Sequence, residues 1–123
     1  MTRGPVSEQA IEWALPLAHL RGTVYFFRKD RECPCDFEIV NNQEVVFVRV
    51  KRTRCLHRPL LDLEGEYHEA VLRLRAVPSA PSVSRELWVC SRHGKWRFFR
   101  IMEAGITELP GLVLDTPPVQ VVA

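Results

Sequence analysis

Residues 35–54 run Cys35-Asp36-Phe37-Glu38-Ile39-Val40-Asn41-Asn42-Gln43-Glu44-Val45-Val46-Phe47-Val48-Arg49-Val50-Lys51-Arg52-Thr53-Arg54. They read as two β-strands around a polar turn at Asn41-Asn42-Gln43. In the first strand Phe37 and Ile39 point one way and Asp36 and Glu38 the other. In the second, Val46, Val48 and Val50 share a face, and Arg49 and Lys51 share its opposite. A one-residue slip would turn one apolar set away from the core, so both sets are expected to face the same side. Asp36 and Glu38 then lie beside Arg49 and Lys51. Val45 and Phe47 belong to that same charged face, which implies that it is covered by another layer. Four charges on a covered sheet face call for an explanation.

Working outward, Ser7 offers a helix N-cap, and Ile11, Ala14, Leu15 and Ala18 follow at helical spacing. Gly22 is a stop signal, and Pro16 is expected to kink that helix or end it early. Thr23 to Arg28 is rich in β-branched and aromatic residues and reads as a strand. After the hairpin, Pro59 starts a second helix in which Leu60, Leu63, Tyr67, Val71 and Leu74 form the apolar stripe, with Gly65 as its weak point. Residues 76–84 read as a loop. Glu86 to Cys90 and Lys95 to Ile101 form another hairpin, turning at His93-Gly94. The chain from Ala104 shows no clear period, with Val119 to Val122 its one strand-like run. The organisation is therefore a single α/β domain over residues 1–103 and an irregular, proline-containing tail over 104–123. The order helix, strand, strand, strand, helix, strand, strand places one helix on each side of a mixed sheet.

With 123 residues and a net charge of +2, the chain is long enough for one core and is not a polycation overall. Its basic residues are nevertheless uneven. Arg49, Lys51, Arg52, Arg54 and Arg58 fall within ten positions that contain no acid. No apolar run approaches the roughly 20 residues needed to span a bilayer, and the first residues lack a signal-peptide pattern. The four cysteines are too irregularly placed for a secreted disulfide scaffold. A cytoplasmic protein with reduced thiols and no membrane partner is expected.

The order α-β-β-β-α-β, with Pro34-Cys35-Asp36 opening the second strand and Arg49-Val50-Lys51 closing the third, resembles the PD-(D/E)XK nuclease superfamily. In size and layout the chain is most similar to its archaeal Holliday-junction resolvase-like members. The resemblance spans about residues 7 to 91. It implies a restriction-endonuclease-like αβββαβ core, a mixed sheet flanked by helices, here with an extra C-terminal hairpin strand. It also implies metal-dependent phosphodiester hydrolysis, in which a cation held by carboxylates polarises the phosphoryl group and generates hydroxide. By the resemblance Asp36 is the main metal ligand, the Val50 carbonyl completes the shell, and Lys51 stabilises developing negative charge. Glu12 matches the place where many members carry an additional acid. Mg²⁺ is the implied cofactor of an active form.

The motif departs from the family at Arg49, which stands where the second acid belongs. A guanidinium there repels a cation and can pair with Asp36 instead. Glu38, on the face of Asp36, and Glu12 are the carboxylates able to replace the missing acid. The expected function is thus a nuclease-like nucleic-acid-binding protein with weakened or lost cleavage. The alternative is a non-enzymatic interaction or oligomerisation module on the same scaffold. Lys51, Arg52, Arg54 and Arg58 read either as a patch for the phosphates of DNA or RNA or as a solvated strand end. Cys33, Cys35, Cys55 and His57 have spacings unlike a zinc knuckle. Trp88, Trp96, Phe98 and Phe99 are expected in the core or at the interface of a homodimer.

Overall fold

The alternation along the quoted hairpin decides which side each layer covers. The computed structural model describes residues 3–27 and 33–110, with side chains from Glu8 onward in the first helix. In chain order these residues form α1 (Arg3–His19), β1 (Thr23–Phe26), β2 (Phe37–Val40), β3 (Val45–Thr53), α2 (Leu60–Glu66), α3 (His68–Arg75), β4 (Val83–Ser91), β5 (Trp96–Ile101) and β6 (Ile106–Leu109). The six strands lie in one sheet in sequence order, β1-β2-β3-β4-β5-β6. Neighbours are antiparallel except β3 and β4, which run parallel from Val45↔Val83 to Thr53↔Ser91. A parallel pair needs a long crossover, and α2 with α3 supplies it. The result is the restriction-endonuclease-like mixed sheet with helices on both faces.

One face carries Phe37, Ile39, Val46, Val48, Val50, Trp88, Cys90 and Phe98, covered by Ala10, Ala14 and Ala18 of α1. Alanine every fourth residue lets the helix axis approach the valines closely, and Ile11, Trp13 and Leu17 close the flanks. The opposite face gathers Leu87, Val89, Phe99 and Ile101 under Leu63, Tyr67, Ala70, Val71 and Leu74. Phe47 packs into this second core, so the face that bears Arg49 and Lys51 is covered, as the alternation implies.

Three expectations need correction. The first helix begins at Arg3 rather than at Ser7, and it runs through Pro16 to His19. Glu12 and Pro16 are both exposed, so the carbonyl that Pro16 leaves without an amide partner lies on the solvent side. The single helix expected after Pro59 is two. Tyr67 breaks it with φ −105° and ψ 29°, while its ring stays in the apolar stripe and its hydroxyl donates to the Arg52 carbonyl at 2.8 Å. The chain after Ala104 is not irregular throughout, since Ile106–Leu109 adds to β5 as β6. Gly105, at φ +87°, makes the turn between them. The strand expected at 119–122 lies outside the described residues. Trp88, Phe98 and Phe99 are buried within the two cores, and β6 covers the outer side of β5. The core placement expected for these aromatic residues is therefore what the fold shows.

The turn from α1 into β1 is fixed by a close approach. A Cβ on Gly22 would stand 2.5 Å from the Val40 carbonyl oxygen, so only glycine lets the chain pass the end of β2 at this distance.

Candidate functional site

Asp36 and Arg49 meet where β2 begins. The Asp36 amide donates to the Val48 carbonyl at 2.7 Å, which extends the β2–β3 ladder by one residue. Its carboxylate then turns back on β3: Oδ2 accepts the Val50 N–H at 2.7 Å, and Oδ1 accepts Nη1 of Arg49 at 3.1 Å. Arg49 reaches further along the incoming chain. Its Nη2 donates to the Cys33 carbonyl at 2.6 Å and its Nε to the Pro34 carbonyl at 3.1 Å. The guanidinium fork thus clips Cys33-Pro34-Cys35-Asp36 onto β3 by three acceptors, a geometry lysine's single ammonium does not reproduce. Both side chains are mostly buried, with 19 % and 16 % of their surfaces exposed. Below the clip, burial and then the adjacent Cys33 thiol push the Cys35 thiol up to about 12. Cys35 is therefore a protonated, packed thiol rather than a reactive one.

The remaining motif residues are distributed around this clip. Glu38 is half-buried in β2, opposite Phe47. Lys51 is half-buried in β3, opposite Val89, on the covered face. Val50 lies in the β3–β4 ladder opposite Trp88. Glu12 is exposed on α1, which packs on the other side of the sheet from Arg49. Among the described residues, no three histidine, cysteine or acidic side chains gather as metal ligands. With both Asp36 oxygens engaged and a guanidinium at 3.1 Å, the residues present do not fit a divalent cation.

The basic run that follows sits at the carboxyl end of β3. Arg52, Thr53, Arg54, Cys55, Arg58 and Glu66 line an open hollow of about 420 Å³. Arg52 stacks over the Trp13 ring at 5.8 Å and donates to Oε1 of Gln9 at 3.0 Å, which ties it to α1. Arg58 pairs with Glu66 and donates to Oγ1 of Thr53 at 3.3 Å. Arg54 is exposed. Arg97, from β5, donates to the Leu56 and Arg58 carbonyls at 2.7 and 2.6 Å while pairing with Glu108 of β6. The loop after β3 is thereby tied across to the other half of the sheet.

Two charged groups that pattern reading passes over lie at the opposite end of the sheet. Glu86 is fully buried on the α1 face, where Arg21 holds it by two bonds of 2.8 and 3.0 Å. Trp88 Nε1 and Arg100 Nη2 add donors at 2.9 and 3.0 Å. Burial pushes the Glu86 carboxyl up, but Arg21, then Trp88 and Arg100, outweigh it and hold the group below its ordinary value. On the other face the buried Arg85 donates to the Arg75, Val77 and Ile101 carbonyls, closing the C-terminal end of α3. These are braces of the scaffold. Nothing local in the sequence announces them, because Arg21 and Glu86 are 65 residues apart.

No family model and no curated protein sequence matches this chain. A likeness does appear at the level of structure. The fold superposes on Hjc of Archaeoglobus fulgidus, a Holliday junction resolvase from an archaeal hyperthermophile, with a TM-score of 0.53 and 12 % identity. The match covers 89 % of this chain and 87 % of the resolvase. Among the described residues no helix is long and apolar enough to cross a membrane. The two share the restriction-endonuclease-like fold, a mixed sheet flanked by helices.

Proposed function

We propose that this protein binds nucleic acid through a nuclease-type scaffold whose metal-dependent cleavage is weakened or lost. The observation that carries this reading is the engagement of both oxygens of Asp36, with Arg49 on one and the Val50 amide on the other. An aspartate held in this way braces the strand ends instead of offering an open oxygen to Mg²⁺. The likeness to a Holliday junction resolvase supports nucleic acid as the partner, and the run Arg52, Arg54 and Arg58 at the end of β3 supplies charge for phosphates.

The test is a paired one. Branched, duplex and single-stranded DNA, and RNA of matching length, are incubated with Mg²⁺ or Mn²⁺ and wild type or Asp36→Ala. The expected result is salt-dependent binding by wild type, with no cleavage that Asp36→Ala abolishes. Cleavage that disappears in Asp36→Ala would overturn the loss of activity. Failure to bind any of the substrates at low salt would favour the interaction-module reading.

A further inference from the structure

Two stretches of this chain contain no acid, Val45 to Leu61 and Leu87 to Met102. The parallel pairing of β3 and β4 lays them side by side, and its last register pair is Thr53↔Ser91. The turns that leave these two residues therefore emerge from the same end of the sheet, on strands about 4.8 Å apart. One turn is Arg54-Cys55-Leu56-His57-Arg58, and the other is Arg92-His93-Gly94-Lys95. Arg54, Arg92 and Lys95 are exposed.

Both turns are held in shape by the hydroxyl at their root. Oγ1 of Thr53 accepts from the Cys55 amide and from Arg58, each at 3.3 Å. Oγ of Ser91 accepts the His93 and Lys95 amides at 3.1 and 3.2 Å, and Gly94 takes the left-handed φ of +82° that the turn requires. Arg97, on β5 two residues beyond the second turn, grips the carbonyls of Leu56 and Arg58 in the first. A basic loop tied down in this way binds with little ordering cost. Neither turn contains Phe, Tyr or Trp, so neither offers a platform for unstacked bases.

From this juxtaposition we infer that the β4–β5 turn, through Arg92 and Lys95, is the second half of a two-loop surface that grips the phosphate backbone of duplex nucleic acid without reading its sequence. Arg54 belongs to the first half, and Arg97 is a positioning residue that keeps the two in register. This inference rests on the nucleic-acid-binding reading and adds a turn and a substrate form to it.

The experiment is fluorescence anisotropy with a labelled duplex and a labelled single strand of the same sequence, titrated between about 50 and 200 mM KCl. Wild type is compared with Arg54→Ala, with Arg92→Ala/Lys95→Ala, and with Arg73→Ala on α3 as a remote basic control. Each phosphate contact contributes about 0.9 to the slope of log affinity against log salt on duplex DNA. The turn variant is expected to flatten the wild-type slope by roughly 1.8, so that wild type loses about tenfold more affinity over this fourfold salt range. Arg54→Ala is expected to flatten it by about 0.9, and Arg73→Ala to leave it unchanged. Ser91 and Gly94 are retained, so the melting temperature of the turn variant serves as the folding control. A wild-type slope in the turn variant, with Arg54→Ala still impaired, would overturn the two-loop surface and leave nucleic-acid binding standing. Tighter binding of the single strand than of the duplex would overturn the substrate form. Absence of wild-type binding to either would overturn both readings together.

Discussion

Arg49→Ala separates a structural clip from a masked metal site. The wild-type side chain makes three charge-assisted hydrogen bonds, to Asp36, Cys33 and Pro34. Such bonds contribute about 1.5–3 kcal/mol each when measured singly, and bonds within one guanidinium do not add. The two freed carbonyls belong to half-buried residues ahead of the hairpin, where water reaches part of the gap. Asp36 keeps its bond from the Val50 amide. A loss of about 2–4 kcal/mol follows, or a fall in melting temperature of roughly 8–16 °C for a domain of this size. The assay is urea and thermal unfolding in chelator and again in millimolar Mn²⁺. A cation present at a hundredfold above its dissociation constant would stabilise the folded state by about 2.7 kcal/mol. Wild type is expected to show no such gain, because the guanidinium occupies the position facing Asp36. Arg49→Lys, which keeps the charge but not the fork, should recover less than half of the loss. Stability within about 1 kcal/mol of wild type in Arg49→Ala would refute the clip. Mn²⁺ stabilisation of the wild type would refute the idea that Asp36 is closed to metal.

The buried Glu86 predicts the acid limit of the fold. Its folded value lies below the ordinary carboxylate value of 4.5, so its contribution is fully present above that pH and is lost as pH falls through the folded value. Glu86→Ala strands Arg21 and Arg100 and is expected to cost about 3–5 kcal/mol at pH 7. A Glu86→Gln variant should unfold less steeply between pH 5 and the acid limit than wild type in a pH-stepped urea titration, and an unchanged acid limb would count against this brace (pH range about 2–5). Two glycines should respond to the same substitution with opposite sign. Gly22→Ala drives a Cβ to 2.5 Å from the Val40 oxygen and is expected to lose about 1–3 kcal/mol. Gly65→Ala, with nothing within 4 Å inside α2, should gain up to about 1 kcal/mol, both read as melting temperatures.

Alternation made the hairpin and its two faces legible, because period-two burial leaves one consistent register for Phe37, Ile39, Val46, Val48 and Val50. The pairing of Asp36 with Arg49 was legible for the same reason, since both fall on one face at adjoining strand positions. The break at Tyr67 was not, because Leu63, Tyr67, Val71 and Leu74 keep helical spacing on both sides of it. At the break the Tyr67 hydroxyl bonds the Arg52 carbonyl, 15 residues earlier in the chain, a contact that helical spacing does not show. Strand β6 has no signature in the sequence, because four residues with exposed Thr107 and Glu108 show no strong period and pairing with β5 decides their conformation. Of the basic run, spacing showed the charge but not its employment. Arg52 is committed to Trp13 and Gln9, both far off in sequence, and Arg58 to Glu66 on α2.

The clip and the brace share a physical logic. A carboxylate drawn out of water at a strand end needs positive charge and donors around it, or it protonates. Glu86 has two arginines and an indole for this purpose, and Asp36 has one arginine and a backbone amide. In a metal-dependent nuclease a cation neutralises such an aspartate and is then available to a phosphate. In this chain the neutralising charge is covalently part of β3, and its remaining donors are spent on Cys33 and Pro34. A guanidinium so engaged stabilises the hairpin but presents no open coordination position to a substrate. On the proposed function, recognition of phosphate falls to cations that project from strand ends, and among the described residues the turns after Thr53 and Ser91 carry exposed ones. An aspartate kept for stability and a rim kept for binding are separable by mutation. Asp36→Ala should lower the melting temperature without altering the salt slope, and Arg92→Ala/Lys95→Ala should do the reverse.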